Sequence, residues 1–96
     1  MNVGVAQVSL RLPENASLKD KRQIVKSIVS RVRNKFEVAV AEVDDNDNWY
    51  LVTIGISAIS NDKRHTNQVL SNVVAFIERS RPEAEMLDYT IELIDV

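Results

Sequence analysis

The chain has no cysteine, so it can build neither a disulfide framework nor a thiolate metal site, and it is suited to a reducing, cytoplasmic setting. Two glycines, two prolines and no low-complexity run exclude flexible linkers and extended disorder. No apolar run is long enough to span a bilayer. The opening MNVGVAQVSLRL alternates and carries Gln7, Ser9 and Arg11, which fits neither a signal peptide nor a membrane segment. Aromatics are scarce, with one Trp, two Tyr and two Phe. His65 is the only histidine, and without Cys or a carboxylate pair at informative spacing it points to no metal site and no catalytic triad. At 96 residues the chain makes one domain, spanning residues 1–96, with enough length for one aliphatic core.

What is present in force is one basic amphipathic stretch, Ser17 to Phe36. Ser17 is placed to cap a helix by accepting from the Asp20 amide, and Asp20 suits the positive end of the dipole. At 100° per residue Leu18, Ile24, Val25, Ile28, Val29, Val32 and Phe36 gather on one side, the pattern of a helix half-buried on a sheet. Lys19, Arg22, Lys26 and Arg33 fall on one flank within about 60° of each other. The stretch holds seven cations against Asp20 alone, while the remainder holds five basic and thirteen acidic residues. A net charge of −2 therefore conceals a dipolar molecule. Such a balance argues against indiscriminate nucleic-acid binding but permits one anionic partner at one face. Charge runs also occur as plain solvated helix faces, and that reading stands beside it.

Around this helix the pattern alternates with period two. Val3–Leu12 reads as a strand with Ala6, Val8, Leu10 and Leu12 inward; Phe36–Val43 follows the helix, with Phe36, Val38 and Val40 on the core face. DDNDN over residues 44–48 is a hairpin turn, and Tyr50–Ile59 is the most β-rich run, with Tyr50, Val52, Ile54, Ile56 and Ala58 inward. Ser60 or Asn61 caps a second helix whose buried side is Val69, Leu70, Val73, Phe76 and Ile77, with Pro82 beyond its end. Leu87–Leu93 places Leu87, Tyr89, Ile91 and Leu93 inward. The order predicts an α+β, ferredoxin-like βαββαβ fold, a four-stranded antiparallel sheet with two helices on one face.

Asp20-Lys21-Arg22 recurs as Asp62-Lys63-Arg64, each after a strand-to-helix turn. The first and third strands are expected to lie side by side and parallel, joined by a right-handed crossover, so that both helices begin at one end of the sheet. Lys19, Lys21, Arg22, Lys63, Arg64 and His65 would then share a corner able to hold a phosphate, although Asp20 and Asp62 already offset those dipoles.

Other chemistry is poorly supported. The loop LPENAS after the first strand has no glycine, so the phosphate cradle of an acylphosphatase is missing. The third strand lacks the aromatics by which an RNA-recognition motif stacks bases on its sheet. Asp44, Asn46 and Asn48 fit the first three ligand positions of an EF-hand, but Trp49 and Gly55 stand where Gly and Glu are required, so a solvated turn is expected, with no metal. Trp49 is expected to pack beneath the hairpin, with an exposed partner anchor as the other reading. Ser17 and Lys21 make a poor nucleophile and base, since Ser17 is better used as a cap. No enzyme, cofactor or membrane partner is read from the chain.

The sheet face away from the helices would expose Val3, Val5, Leu51 and Ile59, which invites self-association, most simply as a two-fold dimer. Scattered surface apolar residues also need no partner.

The combination of LRLPENASLKDKRQIVKSIVSRVRNKF, VAVAEV, Trp49 and GISAISND resembles the YlxP-like family of small bacterial proteins, a domain of unknown function. The resemblance implies a ferredoxin-like fold and, from gene neighbourhoods rich in translation and ribosome-maturation factors, work near ribosomal RNA or ribosome assembly. It brings no catalytic residues, and the acidic DDNDN turn is a departure. Two expectations follow. One is an accessory protein that meets RNA or a ribosomal particle through Lys19, Lys21, Arg22, Lys26 and Arg33, with Lys63 and Arg64 assisting. The other is a homo-oligomeric interaction module using the open sheet.

Overall fold

The computed structural model describes residues 1–96. Its elements run β1 (Asn2–Arg11), α1 (Leu18–Lys35), β2 (Ala39–Asp44), β3 (Leu51–Ser60), α2 (Lys63–Ser80) and β4 (Glu85–Asp95). The strands form one antiparallel sheet in the order β2-β3-β1-β4, the α+β ferredoxin-like arrangement. Alternation in β1 and β3 decides which face is covered. Ala6, Val8, Leu10, Val52, Ile54, Ile56 and Ala58 are buried beneath the helices, and the intervening residues form the open face.

The core contains sixteen buried residues, all of them Ala, Val, Leu or Ile. α2 rests on β1, β3 and β4, whereas α1 covers β2 and packs against α2. Close approach explains one glycine: a Cβ on Gly4 would come within 2.5 Å of both Leu70 Cδ1 and Thr66 Cγ2. The first turns of α2 thus lie directly on the β1 backbone.

Four expectations require correction. β1 and β3 are antiparallel, with Asn2 facing Ser60 and Arg11 facing Leu51. The parallel pair joined by α1 is β1 and β2, and β3 inserts between them. Consequently α1 begins at the Arg11–Leu51 end and α2 at the opposite Asn2–Ser60 end. No shared corner of Lys19, Lys21, Arg22, Lys63, Arg64 and His65 exists.

The second correction concerns β2, which begins only at Ala39. Phe36 instead closes α1, its amide donating to Val32 O at 2.9 Å, and its ring meets Phe76 edge-on at 5.5 Å. Third, α2 is capped by Asp62, whose Oδ1 accepts from the Arg64 amide at 3.0 Å. Ser60 Oγ supports that cap by accepting from the Asp62 amide.

Fourth, Tyr50, Leu87 and Tyr89 are exposed. Tyr50 precedes β3, and β4 is an edge strand with only one neighbour. Its register shifts between Ser9 and Leu10, so that Met86 faces Leu10 and packs on the core where Leu87 was expected.

Candidate functional site

Helix α1 starts as its sequence dictates: Ser17 Oγ accepts from the Asp20 amide at 3.1 Å. Its buried face is Lys21, Val25, Ile28 and Val32, one residue of each turn. A lysine in that row is the least expected feature of the molecule. Lys21 is 1% exposed, and its ammonium donates to the carbonyls of Asp45 and Asn48, the latter at 2.6 Å, with the Glu42 carboxylate at 3.2 Å. The DDNDN turn is folded around this ammonium, and Asp45 takes a left-handed φ of 60° to do it, a conformation that Asp tolerates better than most residues.

One reading changes as a result: Lys21 is unavailable to a phosphate. The spacing did carry a signal, because Lys21 lies four and seven residues before Val25 and Ile28, in step with the core face. Its polarity hid it, since Lys is almost never fully buried without a partner.

The remaining cations of α1 divide by flank. On the side facing α2, Arg31 donates to Ser80 O at 2.7 Å, at the C-terminal end of α2, and the Lys35 ammonium lies 5.0 Å from the Phe76 ring. The opposite flank carries Lys19, Arg22, Lys26 and Arg33, all exposed. Arg33 donates to Val40 O at 3.0 Å, which fastens this flank to the outer edge of β2. None of the four makes an ion pair; the three ion pairs of the chain are Arg11–Glu85, Lys21–Glu42 and Arg81–Glu83. Lys63, Arg64 and His65 are exposed on the first turn of α2, at the far end of the sheet from Lys19 and Arg22.

Trp49 and Tyr50, at the end of the β2–β3 turn, are 45% and 48% exposed. Trp49 does not pack beneath the hairpin as expected. Its backbone is nonetheless secured, because Asn15 Nδ2 donates to Trp49 O at 2.6 Å and the Leu12 amide donates to Tyr50 O at 2.7 Å.

The open sheet face holds a second candidate surface. Val3 stands between Ile59 and Ile94 on the two neighbouring strands, and these flanking residues are 67% and 40% exposed. Val5 is exposed beside this row, whereas Leu51 and Val3 are half-buried. Ile94 was missed because the strand pattern was read only to Leu93. Further along, Val43 lies over Gly55 and borders a shallow depression with Val5, Ala39 and Ala41. No group of three or more His, Asp or Glu side chains is clustered to hold a metal, and no helix is long and apolar enough to cross a membrane.

Residues 3–91 match the family described as Protein of unknown function (DUF503). The chain is also similar to the uncharacterized protein YlxP of Bacillus subtilis (strain 168). The two are 39% identical over 83 residues, which covers 86% of this chain and 89% of that protein.

Proposed function

The chain belongs to the DUF503 family, and on that premise we propose that it is a non-catalytic RNA-binding protein that receives a phosphate backbone along the outer flank of α1. The observation that carries this reading is the contrast within one helix. Lys21, Arg31 and Lys35 are engaged by the protein itself, whereas Lys19, Arg22 and Lys26 face solvent with neither a hydrogen-bond nor a carboxylate partner, and Arg33, although it donates to Val40 O, stays exposed and free of any carboxylate. At 1.5 Å per residue the four span about 21 Å along the helix axis, room for several consecutive phosphates. The acidic remainder of the surface repels the same backbone and so restricts binding to this flank. A ribosomal RNA or ribosome-assembly partner is what the family resemblance implies, and the absence of cysteine suits a reducing cytoplasm. Lys63 and Arg64, at the other end of the fold, contribute to the general field and not to the same contact.

Contacts of this kind release counterions. Each neutralised charge contributes about −0.7 to the log–log dependence of affinity on salt for a single strand, so four give a slope of about −2.8. Replacing Lys19, Arg22, Lys26 and Arg33 together by Gln should flatten that dependence and weaken binding to ribosomal RNA fragments. An unchanged slope in the quadruple variant would reduce the stripe to a solvated surface.

A second reading, self-association through the open sheet, is favoured by the Ile94–Val3–Ile59 row. Sedimentation should then show a dimer that Ile59→Asp disperses; a wild-type monomer at high concentration removes this reading. The two surfaces lie on opposite sides of the sheet and are compatible.

A further inference from the structure

We infer that Trp49 and Tyr50 form a stacking platform for an unpaired nucleotide at the end of the α1 phosphate stripe, so that the preferred partner is a single-stranded or frayed segment. This rests on the phosphate-binding reading above and adds to it a base contact.

The first ground is that this aromatic pair is displayed without being required by the core. The core is wholly aliphatic, and Phe36 and Phe76 satisfy each other. Trp49 and Tyr50 remain about half in water. A large amphipathic ring left exposed at a fixed position is characteristic of a recognition surface.

The second ground is rigidity. The Tyr50 and Leu51 amides both donate to Asn48 Oδ1, at 2.8 and 3.0 Å. The Trp49 and Tyr50 carbonyls accept from Asn15 and Leu12. The backbone beneath the rings is thereby ordered before any ligand arrives, which lowers the entropic cost of binding.

The third ground is placement. Lys21 holds the Asn48 carbonyl at 2.6 Å, which ties the turn to the first turns of α1, and Lys19 and Arg22 are the exposed cations nearest Lys21 in that helix. Cations that track a backbone beside aromatics that take successive bases are the general means of binding single strands.

The acidic turn sharpens the choice. Asp44 and Asp47 are exposed in the same turn and disfavour phosphate there, so the hairpin suits a base and not a second backbone. Carboxylates can also accept from an exocyclic amino group such as that of cytosine. A blunt duplex offers no free base and would bring a second row of phosphates against those carboxylates.

Trp49 is the only tryptophan, so its fluorescence reports the contact directly. Titration with single-stranded 12-mers of RNA and of DNA should quench it, and a blunt RNA duplex or inorganic polyphosphate should not. The two single-stranded arms show whether the ribose 2′-hydroxyl matters. Trp49→Ala should weaken oligonucleotide binding about 5- to 100-fold, the range for losing a stacked aromatic, while leaving polyphosphate affinity unchanged. Trp49→Phe should recover most of the loss, which separates stacking from misfolding. Salt-sensitive binding with neither quenching nor loss in Trp49→Ala overturns the platform and leaves the stripe standing. Failure of every anion to bind overturns both. Should Trp49→Ala not fold, quenching in the native protein and the affinity of Trp49→Phe still decide the matter.

Discussion

Asp-Lys-Arg opens both helices, at Asp20-Lys21-Arg22 and at Asp62-Lys63-Arg64, yet the two copies do different things. In α1 the cap is Ser17, so Asp20 lies within the first turn and Lys21 faces the core. In α2 Asp62 is itself the cap, which moves Lys63 three positions towards the start of its helix and leaves it in solvent. A three-residue change of phase on a helix of 3.6 residues per turn and a different depth against the sheet separate a structural ammonium from a surface charge. The helix starts are accordingly secured in different ways. α1 is held to the β2–β3 turn by Lys21, and α2 is held against the bare backbone of Gly4 by Thr66 and Leu70.

The largest expected effect breaks the lysine comparison. Lys21→Ala leaves the Glu42 carboxylate and the turn carbonyls without their donor, a loss of about 3–5 kcal/mol for a broken buried pair. Lys63→Ala should stay within about 0.5 kcal/mol. In a domain of this size the first corresponds to a melting temperature lower by at least about 12 °C. Thermal denaturation of the two variants that gave similar midpoints would show that the ammonium is not what holds the turn.

Gly4→Ala tests the other anchor. Its new methyl meets Leu70 and Thr66, and overpacking of this kind costs about 1–3 kcal/mol. Gly55→Ala meets only the exposed Val43 side chain, 2.7 Å away at Cγ1, which can turn aside. Chemical denaturation should therefore rank Gly4→Ala clearly below Gly55→Ala; equal stabilities would mean that α2 can lift from β1 without loss.

Removing a cap should affect the two helices alike. Ser17→Ala and Asp62→Ala each cost about 1 kcal/mol, since each side chain satisfies one amide of a first turn. A difference of several kcal/mol, read from denaturation midpoints, would assign one of them a role beyond capping.

The smallest effect lies at the C-terminal end of α2. There the hydrogen bond from Arg81 holds the Glu83 carboxyl below its ordinary 4.5. A depressed carboxyl adds stability above its unfolded value and loses it as the pH falls through the folded one. Because Glu83 is exposed, the change is best followed by its own NMR titration, in which Arg81→Ala should shift its pKa upward. A titration that does not move would remove the hydrogen bond as the cause.

Most of the fold was legible because its signals are local. Ser17 and Asp20 mark a helix start, and Ile24 to Phe36 repeat with the period of an amphipathic helix. The alternation of Ala6 to Leu12 against Val52 to Ala58 identifies two strands covered on one side. The candidate site was legible only in part. The stripe of Lys19, Arg22, Lys26 and Arg33 follows from angular position alone, and its exposure agrees with that. Lys21 was misread because composition labels a lysine as surface, and its partners are backbone carbonyls some 25 residues away in the chain. Trp49 was misread because apolar character says that a ring prefers cover, not whether the fold supplies it.

Residue order alone was enough to specify six elements, the face of each that meets the core and the concentration of positive charge on one helix, because these depend on periods of two and 3.6 residues within a single segment. The direction of β3 beside β1, the separation of the two helix starts and the burial of Lys21 came from assembly. They depend on which strand inserts between two others and on where a distant turn places its carbonyls, contacts that no local period encodes.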